Sequence, residues 1–377
     1  MSTVQDSKLV TATIDDKSVK VPDGLTVLEA ATQAGIYIPT LCYHPSLKPY
    51  GGCRMCIVEI EGLRGFPTSC TTPVADGMKI KTNTPEVQEL RKNILEMVLA
   101  EHPSACLTCW RKERCKPFDI CLRNVAVTER CVTCPKNGRC ELQEVATHIG
   151  PQTATLAPNY KNRPVLTDSP FFDRDYNFCI LCGRCIRVCQ EIRGAVAIAF
   201  TYRGSQTVPG TAFNKTLLDS GCQSCGACVD ICPTGALLER NNKWAGPGER
   251  TVITTCPYCG VGCQLSIEAK GNQILRVTPV ADAVNKGQAC VKGRFGIAEF
   301  VNHHERLTTP LIRKNGKLVE ASWDEALQLI ASKLSNYKGD QFAFISSAKC
   351  TNEENYVAQK FTRAVMQTNT IDHCARL

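Results

Sequence analysis

The residues of this sequence whose types could do chemistry are its cysteines, 25 of them in 377 positions. They fall into spaced sets. Cys42, Cys53, Cys56 and Cys70 are separated by ten, two and thirteen residues. His102, Cys106, Cys109 and Cys115 form an H-x3-C-x2-C-x5-C run, Cys121 follows, and Cys131, Cys134 and Cys140 repeat C-x2-C-x5-C ahead of Glu141-Leu142-Gln143. Cys179, Cys182, Cys185 and Cys189, then Cys222, Cys225, Cys228 and Cys232, are two C-x2-C-x2-C-x3-C runs. Cys256, Cys259, Cys263 and Cys290 close the series as C-x2-C-x3-C-x26-C, leaving Cys350 and Cys374 as buried or incidental thiols.

A C-x2-C step puts two thiolates on one turn of backbone, so these sets offer metal ligation. Dense disulfides belong to short secreted chains. The opening MSTVQDSKLV lacks a basic-then-apolar leader pattern, and no run approaches the roughly 18 apolar residues of a membrane span. The expectation is a cytoplasmic protein without membrane insertion. Iron–sulfur clusters and zinc both remain open on spacing alone, although zinc sets usually pair one C-x2-C with a second close pair.

Specific resemblances narrow the choice. The Cys42, Cys53, Cys56, Cys70 set, with Gly51 and Gly52 beside it, resembles the 2Fe–2S domain of hydrogenases and of the large iron–sulfur subunit of respiratory NADH dehydrogenase. The H-x3-C-x2-C-x5-C run resembles the cluster with one histidine ligand in those families. Its duplication supplies eight ligands for two sites. The preferred partition is sequential: His102, Cys106, Cys109 and Cys115 for one, Cys121, Cys131, Cys134 and Cys140 for the other. Swapped partners, or zinc in one site, stay open. The two later runs resemble bacterial ferredoxins, in which the fourth cysteine serves the other cluster. That likeness implies one 4Fe–4S cluster on Cys179, Cys182, Cys185 and Cys232, and another on Cys222, Cys225, Cys228 and Cys189. Pro233 follows the second run as usual, while Gln190 stands after the first.

TCPYCGVGCQL followed by ACVKGRFG is similar to the 4Fe–4S segment of molybdopterin oxidoreductases, formate dehydrogenases above all. The resemblance implies a cluster on Cys256, Cys259, Cys263 and Cys290, with Lys292 as a cofactor-side electron relay. The ending IDHCARL is similar to the approach to that family's active site, although Gln367 and Thr370 replace its usual glycine and asparagine. In the family a cysteine or selenocysteine metal ligand comes next, at position 378 here. The expectation is therefore a reading frame cut at a selenocysteine codon, with the pterin domain continuing beyond it.

The elements that must position these residues follow from local pattern. LVTATID and KSVKVP read as a hairpin, and LTVLEAATQAG as a helix ended by Gly35. NTPEVQELRKNILEMVLA has helical spacing with Pro85 in its first turn. TVITTC, CQLSIEA and QILRVTP read as strands. SWDEALQLIASKL reads as a helix with a Ser322/Glu325 capping box, QFAFISS as a buried strand and EENYVAQKFTRAVM as a helix. The expected class is an α+β multidomain iron–sulfur protein. Its segments are a β-grasp 2Fe–2S domain (1–82), a Cys/His-rich helical segment (83–150), a linker (151–175), a bacterial 2×4Fe–4S ferredoxin domain (176–245), a molybdopterin oxidoreductase 4Fe–4S domain (250–310) and the beginning of a molybdopterin-binding α/β domain (311–377).

The function these resemblances imply is electron transfer in a formate dehydrogenase. Formate and carbon dioxide would interconvert at a molybdenum or tungsten bis-molybdopterin guanine dinucleotide. Four or five 4Fe–4S clusters and one 2Fe–2S cluster would carry electrons to flavin- and NAD(P)-binding iron–sulfur subunits or to a hydrogenase module. The alternative is a non-catalytic wiring subunit like the large subunit of respiratory NADH dehydrogenase. A zinc-rich nucleic-acid module is the third class. The formal charge of +8 invites that last reading. Oxidised clusters in six such sites would add about −11, bringing the holoprotein near about −3, so the positive balance reads as counter-charge and no nucleic-acid partner is expected.

Overall fold

The computed structural model describes residues 8–103, 105–150 and 155–373. The ending 374–377, with Cys374, lies outside the described residues. The chain divides into two compact units between Gly246 and Pro247.

In the first unit, Leu9–Ile14 and Lys17–Pro22 pair antiparallel. Asp15 and Asp16 sit at positive φ (46° and 66°), the turn geometry that matches strand twist in a two-residue hairpin. Alternation turns Val10, Ala12, Ile14, Val19 and Val21 inward. Lys79–Lys81 adds parallel to the first strand, Glu59–Ile60 pairs antiparallel with it, and the helix Val27–Gln33 adds Val27, Leu28, Ala30 and Ala31 to the same core. This four-stranded sheet crossed by one helix is the β-grasp arrangement. Thr26 and Glu29 cap the helix reciprocally, and Gly35 follows its end at φ 70°.

Thr84 caps the helix Pro85–Glu101, with Pro85 in its first turn as the sequence suggested. Residues 105–133 contain only isolated three-residue-per-turn segments, and regular helix resumes at Glu141–Ile149, ending on left-handed Gly150. Phe172–Arg174, inside the stretch read as a linker, pairs antiparallel with Leu237–Glu239. Between those strands lie the short helices Arg184–Arg187 and Ala227–Asp230.

In the second unit, Arg250–Thr255, Gln264–Lys270 and Gln273–Pro279 form an antiparallel sheet with the middle segment central. Its inner face buries Leu265 and Val277 against Ile297. The helix Trp323–Leu334 is capped by Ser322, which accepts from the Glu325 N–H at 3.1 Å. The capping box read from sequence is only half formed, because the Glu325 carboxylate instead accepts from Lys314 Nζ at 2.8 Å. A second correction concerns QFAFISS. Its strand, Phe344–Ser346, pairs parallel with Ile371–His373 but is not buried, and Ile345 is 82% exposed. A two-stranded parallel pair leaves its faces uncovered where larger parallel sheets are sheathed by helices. Among the described residues no helix is long and apolar enough to cross a membrane.

Candidate metal centres

The 42–70 loop brings its four cysteines together. Cys42, Cys56 and Cys70 are buried and Cys53 is half-buried. The Cys53 N–H donates to Cys42 Sγ at 3.4 Å, and the two sulfurs share a proton that draws Cys53 down to about 6. Cys70 does the same for Cys56, which falls to about 7. Half of the set thus favours the thiolate form that ligation requires. Gly51 turns the chain at φ 67° just before Cys53, a conformation a side chain would oppose. Arg91, buried on the helix Pro85–Glu101, braces this loop by donating to the Met55 carbonyl at 3.1 Å and the Ile57 carbonyl at 2.7 Å. Burial pulls its guanidinium down to about 10, against the smaller opposing pull of Cys56.

The two C-x2-C-x2-C-x3-C runs fold alike. Leu181 and Ser224 adopt φ of 53° and 50°, and Gly183 and Gly226 start the short helices at 71° and 76°. The turn aims backbone donors at sulfur: Leu181 N–H to Cys179 Sγ and Ser224 N–H to Cys222 Sγ, both at 3.4 Å. Cys189, Cys222, Cys225 and Cys228 line one cavity, with Cys185 and Arg174 also on its wall. Burial first and then Cys232 push Cys179 and Cys182 up to about 12, with Cys179 adding to the rise of Cys182; burial, then Cys182, Cys179 and Cys232, raises Cys185 well above the usual thiol range. These neighbours bring Cys232 of the second run up to the first three cysteines of the first. Thiols this deeply buried hold their protons unless a cation replaces them, which suits iron.

The eight candidate ligands of 102–140 line two cavities, and the cavities group them differently from the sequential partition. His102 lines one cavity with Cys131, Cys134 and Cys140. Cys106, Cys109, Cys115 and Cys121 line another. The cause is nonlocal: helix Glu141–Ile149 packs its Leu142 and Val145 against Leu95 and Leu99 of the helix that ends at His102, which draws the second cysteine run onto the histidine. Burial drops the His102 imidazole to about 4 and keeps it neutral, the form with a lone pair for iron, while its ring meets Phe178 edge-on at 5.6 Å.

Two arginines missed in the sequence join these modules. Arg184 is 2% exposed and clamps Glu141, the residue after Cys140, through two bonds of 2.7 Å. Burial alone would lower its pKa; Glu141, helped by Cys182 and Cys42, more than offsets this. Arg187 donates to the carbonyls of Lys48 (2.9 Å) and Cys42, and lies over the Tyr50 ring at 4.7 Å. Their only sequence signal is position: both flank Cys185 within its cysteine run.

In the second unit the Cys256 pKa is raised by burial and then by Cys263, Cys290 and Cys259, so the four thiols of this set stand near one another. The Cys256 N–H donates to the Cys263 carbonyl at 2.8 Å. Cys259 and Cys290 are exposed in this chain. Lys292 is exposed and opens the turn Lys292–Gly296. Among the described residues no three His, Cys, Asp or Glu side chains close on a point as for one metal ion. Most cysteines of residues 102–232, all but Cys179, Cys182 and Cys232, line three cavities, an arrangement that fits polynuclear iron–sulfur groups.

Known proteins match in the same order. Family models fit residues 7–85 (2Fe-2S iron-sulfur cluster binding domain), 91–121 (NADH-ubiquinone oxidoreductase-G iron-sulfur binding region) and 169–238 (NADH-quinone oxidoreductase subunit 3, ferredoxin-like domain). Two more fit 249–303 (molybdopterin oxidoreductase Fe4S4 domain) and 306–377 (molybdopterin oxidoreductase). A solved NAD+-reducing [NiFe]-hydrogenase is similar at 30% identity and a TM-score of 0.52, over 63% of this chain and 90% of that one. A G-type subunit of NADH-quinone oxidoreductase from Rhizobium meliloti is 36% identical over 98% of this chain. The chain is thus similar to G-type iron–sulfur subunits of NADH-quinone oxidoreductase. A Staphylococcus aureus protein with a provisional formate dehydrogenase name is 32% identical over 97% of this chain. The chain spans 40% and 39% of the lengths of these two relatives. The chain combines a 2Fe–2S domain, 4Fe–4S binding regions and the start of a molybdopterin oxidoreductase domain.

Proposed function

We propose that this G-like chain is the electron-transfer portion of a molybdenum- or tungsten-dependent formate dehydrogenase that exchanges electrons with NAD(P)-reducing or hydrogenase partner subunits. The observation that carries the reading is the continuity of cysteine sets from residue 42 to residue 290 directly into a molybdopterin oxidoreductase segment at 306–377. The formate dehydrogenase name of the Staphylococcus relative and the NAD+-reducing hydrogenase similarity support the substrate and the partner class. When bound, the clusters supply one-electron carriers and the pterin metal supplies two-electron exchange with formate, which leaves as carbon dioxide and a proton.

The chain's own residues act as ligands and as charge. Cys42, Cys53, Cys56 and Cys70 hold the two-iron group. The thiolates of 179–232 and Cys256, Cys259, Cys263 and Cys290 hold four-iron groups, and buried Arg91, Arg184 and Arg187 offset their negative charge. Lys292, two residues after Cys290, would put a positive side chain between the last set and the pterin, as the sequence likeness implies.

The test is anaerobic purification of the full-length protein, with a metal count and formate-dependent viologen reduction. Molybdenum or tungsten with formate turnover is the expected result, and Lys292→Met should slow turnover while leaving the iron count unchanged. The second reading, a wiring subunit without a pterin metal, is favoured by the Rhizobium G-type match. Full iron content with neither metal nor formate turnover would establish it and sink the first.

A further inference from the structure

We propose that Cys106, Cys109, Cys115 and Cys121 hold a 4Fe–4S cluster of their own at the protein surface, a side port for electrons separate from the His102 site. The inference rests on the iron–sulfur reading of the chain and adds a site with a defined ligand set.

Three observations carry it. The four sulfurs line a single cavity with apolar walls from Ile120, Leu122 and Val132, whereas His102, Cys131, Cys134 and Cys140 line a different one. Four thiolates around one apolar space are a complete donor set for a four-iron cluster, with no need of the histidine. The segment also closes on itself. Arg123 donates to the Ala105 carbonyl at 2.6 Å and to Thr108 Oγ1 at 3.0 Å, and Arg130 donates to the Asp119 carbonyl at 3.2 Å. Arg123 thereby ties the chain after Cys121 back to the turn that carries Cys106, and Arg130 holds the following segment to Asp119.

The third observation is placement. The Cys131 N–H donates to Cys106 Sγ at 3.2 Å and the two thiols also hydrogen-bond to each other, so the two cavities adjoin at this cysteine pair; a backbone donor to sulfur is the kind of contact that tunes cluster potential. On the outer side, Trp110 is 84% and Phe118 99% exposed. Each ferredoxin-like run has one buried cysteine, Cys185 or Cys232, whereas Cys106, Cys109, Cys115 and Cys121 are all partly exposed. An inner neighbour and an outer, solvent-reached face make this site a branch through which single electrons can enter or leave the chain. No step beyond one-electron transfer between adjoining clusters is required.

The full chain, purified or reconstituted anaerobically, gives the test. Cys109→Ser/Cys115→Ser should lose about four irons per chain. Pulsed EPR should still find histidine nitrogen coupled to a cluster, and that coupling should vanish in Cys134→Ser. Disappearance of the nitrogen coupling in Cys109→Ser/Cys115→Ser would overturn the proposal in favour of the sequential ligand set. Unchanged iron in that variant, or one zinc in place of the four irons, would overturn it too. Native mass spectrometry of the unaltered chain covers the case of a variant that does not fold. Five four-iron and one two-iron groups, about 22 irons, support the site, and about 18 refute it. Iron absent altogether would instead refute the iron–sulfur reading itself.

Discussion

Glu141→Ala should loosen the protein more than Arg184→Met, although each removes the same ion pair. Arg184 is 2% exposed at its side chain and Glu141 is 41% exposed. Stripping the carboxylate strands a buried guanidinium, whereas stripping the guanidinium leaves a carboxylate that water can reach. Breaking a fully buried pair costs about 3–5 kcal/mol, and exposed pairs are worth about 0–1 kcal/mol. The half-exposed carboxylate puts Glu141→Ala near about 2 kcal/mol and Arg184→Met near about 1 kcal/mol. The double variant should lie close to Arg184→Met, because no buried charge remains unpaired. Glu141 directly follows Cys140, so the opening should be felt at the His102 cavity. The assay is anaerobic bleaching of the holoprotein's visible absorption in excess iron chelator, which follows local opening. At about 1.4 kcal/mol per tenfold, Glu141→Ala should bleach about thirtyfold faster and Arg184→Met about fivefold. Equal rates for the two single variants, or a faster Arg184→Met, would refute the reasoning.

Arg91→Met removes both bonds to the carbonyls of Met55 and Ile57 and should destabilise the 42–70 loop by about 3 kcal/mol. EPR should then show the two-iron signal fading before any four-iron signal. Thr26→Ala removes the reciprocal cap of helix Val27–Gln33 and should cost about 1 kcal/mol, read as a lower calorimetric Tm with iron content unchanged. Iron removal should act unevenly along the chain, as hydrogen exchange would show. The hairpin Leu9–Pro22 packs an aliphatic core and should keep its amide protection. Residues 172–239, whose strands are three residues long and whose interior is lined by cysteine, should lose it.

What the sequence by itself determined was local. The C-x2-C steps, the hairpin, the first-turn Pro85 and the Gly35 stop each depend on residues a few positions apart, so spacing alone conveys them. The nearness of Cys232 to the first cysteine run was also foreseeable, because a repeated motif brings its partner rule with it. Tertiary structure decided which cysteines share a cavity with His102. That choice depends on Leu142 and Val145 packing on Leu95 and Leu99, a contact between helices that no spacing encodes. It likewise decided the roles of Arg91, Arg184 and Arg187. An arginine reads as a solvated charge until the fold buries it, and here burial leaves carbonyls and one carboxylate to receive its donors. The half-formed cap at Ser322 and the exposed Ile345 have the same origin, since Lys314 competes for Glu325 and a two-stranded parallel pair leaves its faces uncovered. Ligand identity is written in short-range spacing; ligand grouping and charge balance are set by packing between segments far apart in the chain.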